Sequence, residues 1–301
     1  MANIVLLFVC LMAGVVLRLS GRLPDDAPAA LNGLVVNLAL PALALQHVHG
    51  IQFDSSLAAA VAMPWILFAL GATLFWALSK ALALPRETTG ALMLVGGLGN
   101  TSFIGLPMIE AFFGPRYIPI GIAIDQLGSY LVLSTAGILI ASLCSGAQPS
   151  AAGIFRRIAT FPPLIAVAAA LALAPVSYPE WLTSLLERLG NTVVPLALVS
   201  IGLQLRASAI ISDRAALAAG LGFKLILGPA AIATMIVLLY GHFGETARVT
   251  LFEAAMAPMI GASVIAMQYR LNNELTSVMV GAGTLASFAT LPVWWDILQL
   301  L

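Results

Sequence analysis

Asn100 is the residue with the most chemistry to offer. It stands in Gly96-Gly97-Leu98-Gly99-Asn100-Thr101-Ser102-Phe103-Ile104-Gly105-Leu106-Pro107, the centre of an otherwise apolar segment running from Gly90 to Phe113. An amide presents two donors and an acceptor, so it can hold a carboxylate or an ion without a charge of its own. Gly99, Thr101, Ser102 and Gly105 surround it with small or hydroxylated neighbours, and Pro107 closes the stretch. Four ionisable side chains stand within other parts of the apolar sequence: Glu110, Asp125 with Gln126 beside it, Lys224, and Glu253. Charge at membrane depth is costly and is a functional hypothesis by default. Asp125 and Glu253 are suited to bind and release a proton, and Lys224 to attract an anion or to pair with one of them. Each residue also has a plainer reading. Asn100 can serve only as a helix cap, the glycines and hydroxyls as close packing between helices, the three charges as a structural ion pair, and Glu110 as a group reaching an interface.

Such residues need a bilayer around them, and the composition provides it. Of 301 residues 61% are hydrophobic and 9% charged, and the mean hydropathy is +1.03. A soluble domain carries about 25% charge, so the chain reads as an all-α integral membrane protein. Thirteen basic residues balance thirteen acidic ones, which leaves no charged surface for nucleic acid. Cys10 and Cys144 both lie in apolar runs and make neither a disulfide framework nor a metal cluster. Ile4 to Leu19 lacks the basic start of a signal peptide and is taken as the first membrane helix.

A hydropathy window of about 19 residues predicts ten spans: 3–20, 28–47, 57–79, 88–112, 117–144, 158–175, 184–204, 214–240, 246–268 and 274–298. The longest connection, 145–157, is small and polar and divides the chain into halves, 1–144 and 158–301, of five spans each. At an offset of 154, Asn37 and Pro41 of span 2 fall on Asn191 and Pro195 of span 7; at 158, Asn100 of span 4 falls on Pro258 of span 9. An odd-numbered unit repeated in sequence must enter the bilayer from the opposite side, which predicts two inverted repeats whose broken helices meet near the midplane around a substrate. Span 9 is then expected to break at Ala257-Pro258-Met259-Ile260-Gly261-Ala262-Ser263. Asn37 with Pro41, and Asn191 with Pro195, mark kinks that either face the same internal cavity or only bend their helices.

Nine basic residues, Arg18, Arg22, Lys80, Arg86, Arg156, Arg157, Arg206, Arg214 and Arg270, fall on one side and three, Arg116, Arg188 and Arg248, on the other. The first side is therefore expected to be cytoplasmic, with both termini outside. His47 and His49 fall in an outward loop beside Asp54. Trp65, Trp76, Trp294 and Trp295 fit an aromatic belt near span ends. Nothing matches a Walker motif, a dinucleotide fingerprint or a His/Glu metal motif, so no enzyme activity, cofactor or metal is expected.

Four stretches in order resemble the auxin efflux carrier family of secondary transporters, which includes bacterial malonate-type carriers and plant auxin exporters. They are Leu31 to Leu45, the Gly99-Asn100 to Gly105-Leu106-Pro107 break, Pro195 to Leu203, and Thr284 to Trp294. The resemblance implies ten helices in two inverted repeats, similar to bile acid symporters and sodium/proton antiporters. Spans 1, 2, 6 and 7 would form a scaffold and often a homodimer interface; spans 3–5 and 8–10 would form a transport domain in which broken helices 4 and 9 cross. It places the substrate carboxylate at Asn100, among Gly99, Thr101, Ser102, Pro258, Met259, Gly261 and Ser263. Where span 9 of the family commonly reads Pro-Thr-Ala-x-Asn-Ala, this chain has Pro258-Met259-Ile260-Gly261-Ala262-Ser263, without the second asparagine. The expected function is alternating-access transport of a small mono- or dicarboxylate, auxin- or malonate-like, in a bacterial inner membrane. Coupling to protons, to sodium or to neither stays open. A membrane sensor that binds the same ligand without moving it is the alternative. The partners expected are the organic anion, H+ or Na+, and membrane lipid.

Overall fold

The computed structural model describes residues 2–24, 26–49, 51, 54–146, 150–204, 213–241 and 243–300. Asp25, residues 147–149 of the connection, and Arg206 lie outside the described residues. Among those described, every regular element is helical, as the lack of water to satisfy an open strand edge in hydrocarbon requires. In chain order the helices are α1 (Ala2–Leu19), α2 (Ala27–Val48), α3 (Ser55–Leu82), α4 (86–96), α5 (Thr101–Phe112), α6 (Pro115–Ser145), α7 (Ala151–Ala159), α8 (Pro162–Ala172), α9 (Glu180–Gly190), α10 (Val193–Gln204), α11 (Arg214–Leu239), α12 (Glu245–Ala254), α13 (Ile260–Gln268) and α14 (Asn273–Leu300). Six stretches are long and apolar enough to cross a membrane: α2, α3, α6, the α9–α10 segment Glu180–Gln204, α11 and α14.

Two of the predicted spans, the fourth and the ninth, are each two helices, because glycine and asparagine interrupt one at 97–100 and proline the other at 255–259. Asn191 ends α9 two residues before α10 begins. The connection is not loop throughout: Ser150 accepts a hydrogen bond from Gly153 N and caps α7.

Two packing layers hold these elements. Helix α1 lies directly against α10, where Gly14 and Gly202 meet so closely that a Cβ on either would stand 2.9 Å from the other's Cα. Without a hydrophobic drive between helices in lipid, such backbone contact is what holds a pair together. A second layer, α3 with α4, α6 and α12, buries Met63, Leu67, Phe68 and Phe75 against Leu92 and Val95. Both cysteines are free, Cys10 buried and Cys144 half-buried.

Two aromatic expectations need revision. Trp294 is buried and donates its indole N–H to Leu225 O at 2.9 Å, and Trp295 packs on Phe112, Phe113 and Phe252. Both hold α14 to its neighbours, whereas Trp65 and Trp76 are exposed in the manner of a belt.

Candidate functional site

The two interruptions pair with each other. Asn100 N–H donates to Ala257 O at 2.8 Å and Met259 N–H to Leu98 O at 3.0 Å, on either side of an antiparallel bridge between Gly99 and Pro258. Each break frees main-chain groups that hydrocarbon cannot satisfy, and here each break supplies the other's partners. Pro258 fits there because the residue at the centre of such a bridge turns its N position away from the partner, so no bond is lost for want of an N–H.

Four helix ends therefore meet around one point. Asn100 ends the bridge and begins α5. Its Oδ1 accepts from Phe103 N–H at 3.1 Å, while its Nδ2 is buried with no partner. The cap reading and the ligand reading of this amide thus use different atoms of it. At α13, Ser263 N–H makes the first helical bond, to Met259 O, and no side chain caps the three N–H groups before it. Such an end favours an anion through its N–H groups and its dipole.

The charged side chains gather against the same crossing. Lys224 lies fully buried in a π-helical turn of α11, Phe223–Leu227, and donates to Ala254 O, the last carbonyl of α12, at 2.7 Å. A cation at that negative end stabilises it. Asp125 lies in another π-helical turn, Ile124–Ser129 of α6, and its two oxygens accept from Thr101 Oγ1 and Gln126 Nε2, each at 2.6 Å. Glu253 is as deeply buried, yet neither of its oxygens has a hydrogen bond. Its carboxylate lies against the backbone of α5: a Cβ on Gly105 would stand 2.5 Å from both oxygens. Likewise a Cβ on Gly99 would stand 3.2 Å from Lys224 Nζ. Those two glycines let the charges reach the crossing at all. Glu253, Asp125 and Lys224 lie near enough to act on one another electrostatically, though no oxygen–ammonium distance among them falls within 4.0 Å, the described residues holding one such pair, Arg116–Glu245. Single π-helical turns recur at functional sites in helices, and here they carry Asp125, Gln126 and Lys224, with Thr101 and Ser102 in a third, Thr101–Gly105.

The chain belongs to the membrane transport protein family. The profile of that family, the auxin efflux carrier family, matches residues 1–295. The chain is also similar to an uncharacterized transporter of Methanothermobacter thermautotrophicus, 26% identical over 290 residues that cover 95% of this chain and 94% of the relative. A second relative, the uncharacterized transporter MJ1031 of Methanocaldococcus jannaschii, is 24% identical over 98% of each chain. Family membership makes the molecule a transporter embedded in the membrane, not an enzyme.

For a member of this transporter family the remaining predicted residues fall as follows. Pro258 and Met259 line the bridge. Ser263 is buried and its hydroxyl bonds Ile260 O in its own helix at 2.8 Å; Gly261 sits in the first turn of α13. Pro107 follows the π-helical turn of α5 and Pro41 that of α2. Asn37 does not face an internal cavity: it is exposed and donates to Gly33 O of its own helix at 2.8 Å. Asn191 is exposed at the α9–α10 junction, with Pro195 in the first turn of α10. These two asparagines shape helices.

A cavity of about 710 Å³ lies away from Asn37 and Asn191, where the sequence had placed one. It separates α1, α2 and α10 from α13 and α14, and its wall includes Arg18, Asp26, Asn32, Gln204, Ile260, Ser263, Glu274 and Thr284. The volume falls within the 300–1,000 Å³ usual for small-molecule sites. The signal for it in the sequence was slight: single polar residues, Asn32, Ser200 and Gln204, in apolar spans.

Proposed function

We propose that this transporter carries a small organic acid anion by alternating access, with the anion bound where the cavity meets the crossing. The observation that carries the reading is unused donor capacity at the crossing: the Nδ2 of Asn100, buried and off the cavity wall, and the uncapped N–H groups that open α13, whose Ile260 and Ser263 line the cavity. The paired breaks are what two inverted five-span repeats would bring together. On that reading α1, α2 and α8–α10 form the scaffold, the other helices the moving part, and the cavity is the path between them. Arg18, Asp26, Gln204, Met267 and Glu274 on its wall belong to loop ends on the side with the basic excess, so the conformation is open to the cytoplasm. The exposed apolar face of α1, Val5, Phe8, Val9, Met12 and Val16, meets lipid or a second copy of the scaffold.

Glu253 is the proton carrier in this proposal, because it differs from Asp125 in one respect. Hydrogen-bond donors on both oxygens of Asp125 favour its carboxylate form, whereas no hydrogen bond replaces the lost hydration of Glu253. A bare buried carboxylate has to be neutralised by a proton or by a nearby cation, and Lys224 is committed to Ala254 O. A resident ammonium at the crossing also supplies the positive charge that a sodium ion would bring. Transport is then proton-linked and indifferent to sodium.

The test is uptake of labelled malonate and phenylacetate into proteoliposomes under imposed pH and sodium gradients. The expected result is uptake that responds to the pH gradient alone, is abolished in Asn100→Ala, and loses its pH response in Glu253→Gln. Binding without flux in the native protein would favour a sensor; unchanged uptake in Asn100→Ala would end the proposal for that residue.

A further inference from the structure

The cavity has a polar feature on the scaffold side that the crossing does not explain. Asn32 of α2 lines it, as does Gln204 of α10. Between them stands Ser200, fully buried. Gln204 Nε2 lies 3.1 Å from Ser200 O and 3.2 Å from Ser200 Oγ. A backbone carbonyl can only accept, so this end of the Gln204 amide is its NH₂. Ser200 Oγ, accepting from Gln204, has one proton to give. It lies 2.6 Å from Asn32 Oδ1 and 3.4 Å from Pro28 O. A separation of 2.6 Å suits O–H···O and is short for N–H···O, so the Asn32 atom facing Ser200 is its oxygen.

The chain of bonds thus runs one way, Gln204 to Ser200 to Asn32, and fixes the orientation of the last amide. Asn32 must turn its NH₂ away from Ser200, and among the described residues that NH₂ has no protein partner. It is a held donor on the wall of a cavity large enough for a small molecule. Among the described residues the charged side chains on the same wall are Arg18, Asp26 and Glu274, which give no excess of positive charge. A neutral donor is then a means by which this wall can favour an anion.

We infer that Asn32, oriented by Ser200 and Gln204, is a second recognition group of the cavity: it donates to an acceptor oxygen of the organic acid and sets the preference for anions over cations. The inference rests on the proposed function for the class of ligand, but on different residues. One end of the ligand meets the crossing and α13, and Asn32 holds an acceptor from the opposite wall, so the favoured ligands are acids with a further oxygen beyond the first carboxylate.

The experiment is equilibrium binding of malonate, phenylacetate and phenethylamine to the purified full-length protein. Asn32→Asp keeps the shape and still accepts from Ser200 but puts oxygen in place of the donor. At pH 7.5 its Kd for malonate rises about tenfold, as loss of a hydrogen bond to a charged group implies, phenethylamine binding strengthens, and malonate binding recovers toward pH 4 as the new carboxyl takes a proton. Ser200→Ala removes the holder and weakens malonate a few-fold. Unchanged malonate and amine affinities in Asn32→Asp overturn the inference even where Asn100→Ala abolishes binding, which leaves the proposed function standing. If the native protein binds neither acid, both fall. Should Asn32→Asp fail to fold, an unchanged malonate Kd in Ser200→Ala overturns the inference by itself.

Discussion

Replacing Lys224 with methionine tests whether the charge at the crossing holds the broken helix together. Methionine keeps most of the volume of the lysine stem and removes the ammonium. The variant loses the 2.7 Å bond to Ala254 O, a charge-assisted bond worth about 1.5–3 kcal/mol. It also removes the positive charge that acts on buried Glu253 from beyond 4.0 Å, a smaller effect than breaking a contact pair, because Glu253 can take a proton instead. The lost bond dominates, so the expected loss is about 1.5–3 kcal/mol. The double variant Lys224→Met with Glu253→Gln removes the carboxyl group as well while the Ala254 carbonyl stays unbonded. It should regain part of the loss, with a coupling of about 0.5–3 kcal/mol. The assay is denaturant unfolding of the purified protein in micelles, followed by tryptophan fluorescence, for the native chain, both single variants and the double. Simple additivity, with the double equal to the sum of the singles within about 0.5 kcal/mol, would refute the electrostatic link between Lys224 and Glu253. A Lys224→Met variant as stable as the native chain would refute the capping role as well.

Further outcomes follow from the packing. A Cβ on Gly283 would meet the ring of Pro258 at 2.5 Å, and a proline ring has no rotamer by which to withdraw; Gly283→Ala should cost about 1–3 kcal/mol and lower the transport rate by displacing the bridge, measured by unfolding and by uptake. Gly202→Ala should separate α1 from α10, with a similar loss of stability but an unaltered Kd for malonate in whatever fraction folds. Thr101→Val removes a donor to Asp125 and should cost about 1–3 kcal/mol while leaving the pH response of uptake with Glu253; a lost pH response would move the proton to Asp125.

The legibility of this molecule from sequence divided along physical lines. The interruptions near Asn100 and Pro258 were legible because glycine, asparagine and proline in an apolar run oppose a continuous helix whatever the surroundings. Lys224, Asp125 and Glu253 stood out because charge in hydrocarbon demands a reason. Their different environments were not legible: the donors to Asp125 come from α5 and from its own neighbour, and the lack of any donor at Glu253 depends on how α12 lies against Gly105. Asn37 misled because an asparagine beside a helical proline suits a cavity and a back-bonded helix equally, and only its exposure decides. Trp294 misled because position near a chain end says nothing of the carbonyl of Leu225 opposite it. The cavity was hidden because it belongs to no single segment.

An account of the polar groups at the crossing says which atoms are left for a ligand. The carbonyl of Leu98 is taken by Met259 and that of Ala257 by Asn100. Lys224 occupies the carbonyl of Ala254, Asn100 Oδ1 the N–H of Phe103, and Thr101 and Gln126 the oxygens of Asp125. Three acceptors at the crossing are thus used by groups of the protein itself, including its one buried ammonium. Among the groups left unused are donors, at Asn100 Nδ2 and the start of α13, and two acceptors, the bare carboxylate of Glu253 and Gln126 Oε1. Unused donors suit an acceptor-rich ligand and a bare carboxylate suits a proton, which is the ground on which an acid anion and a travelling proton are proposed.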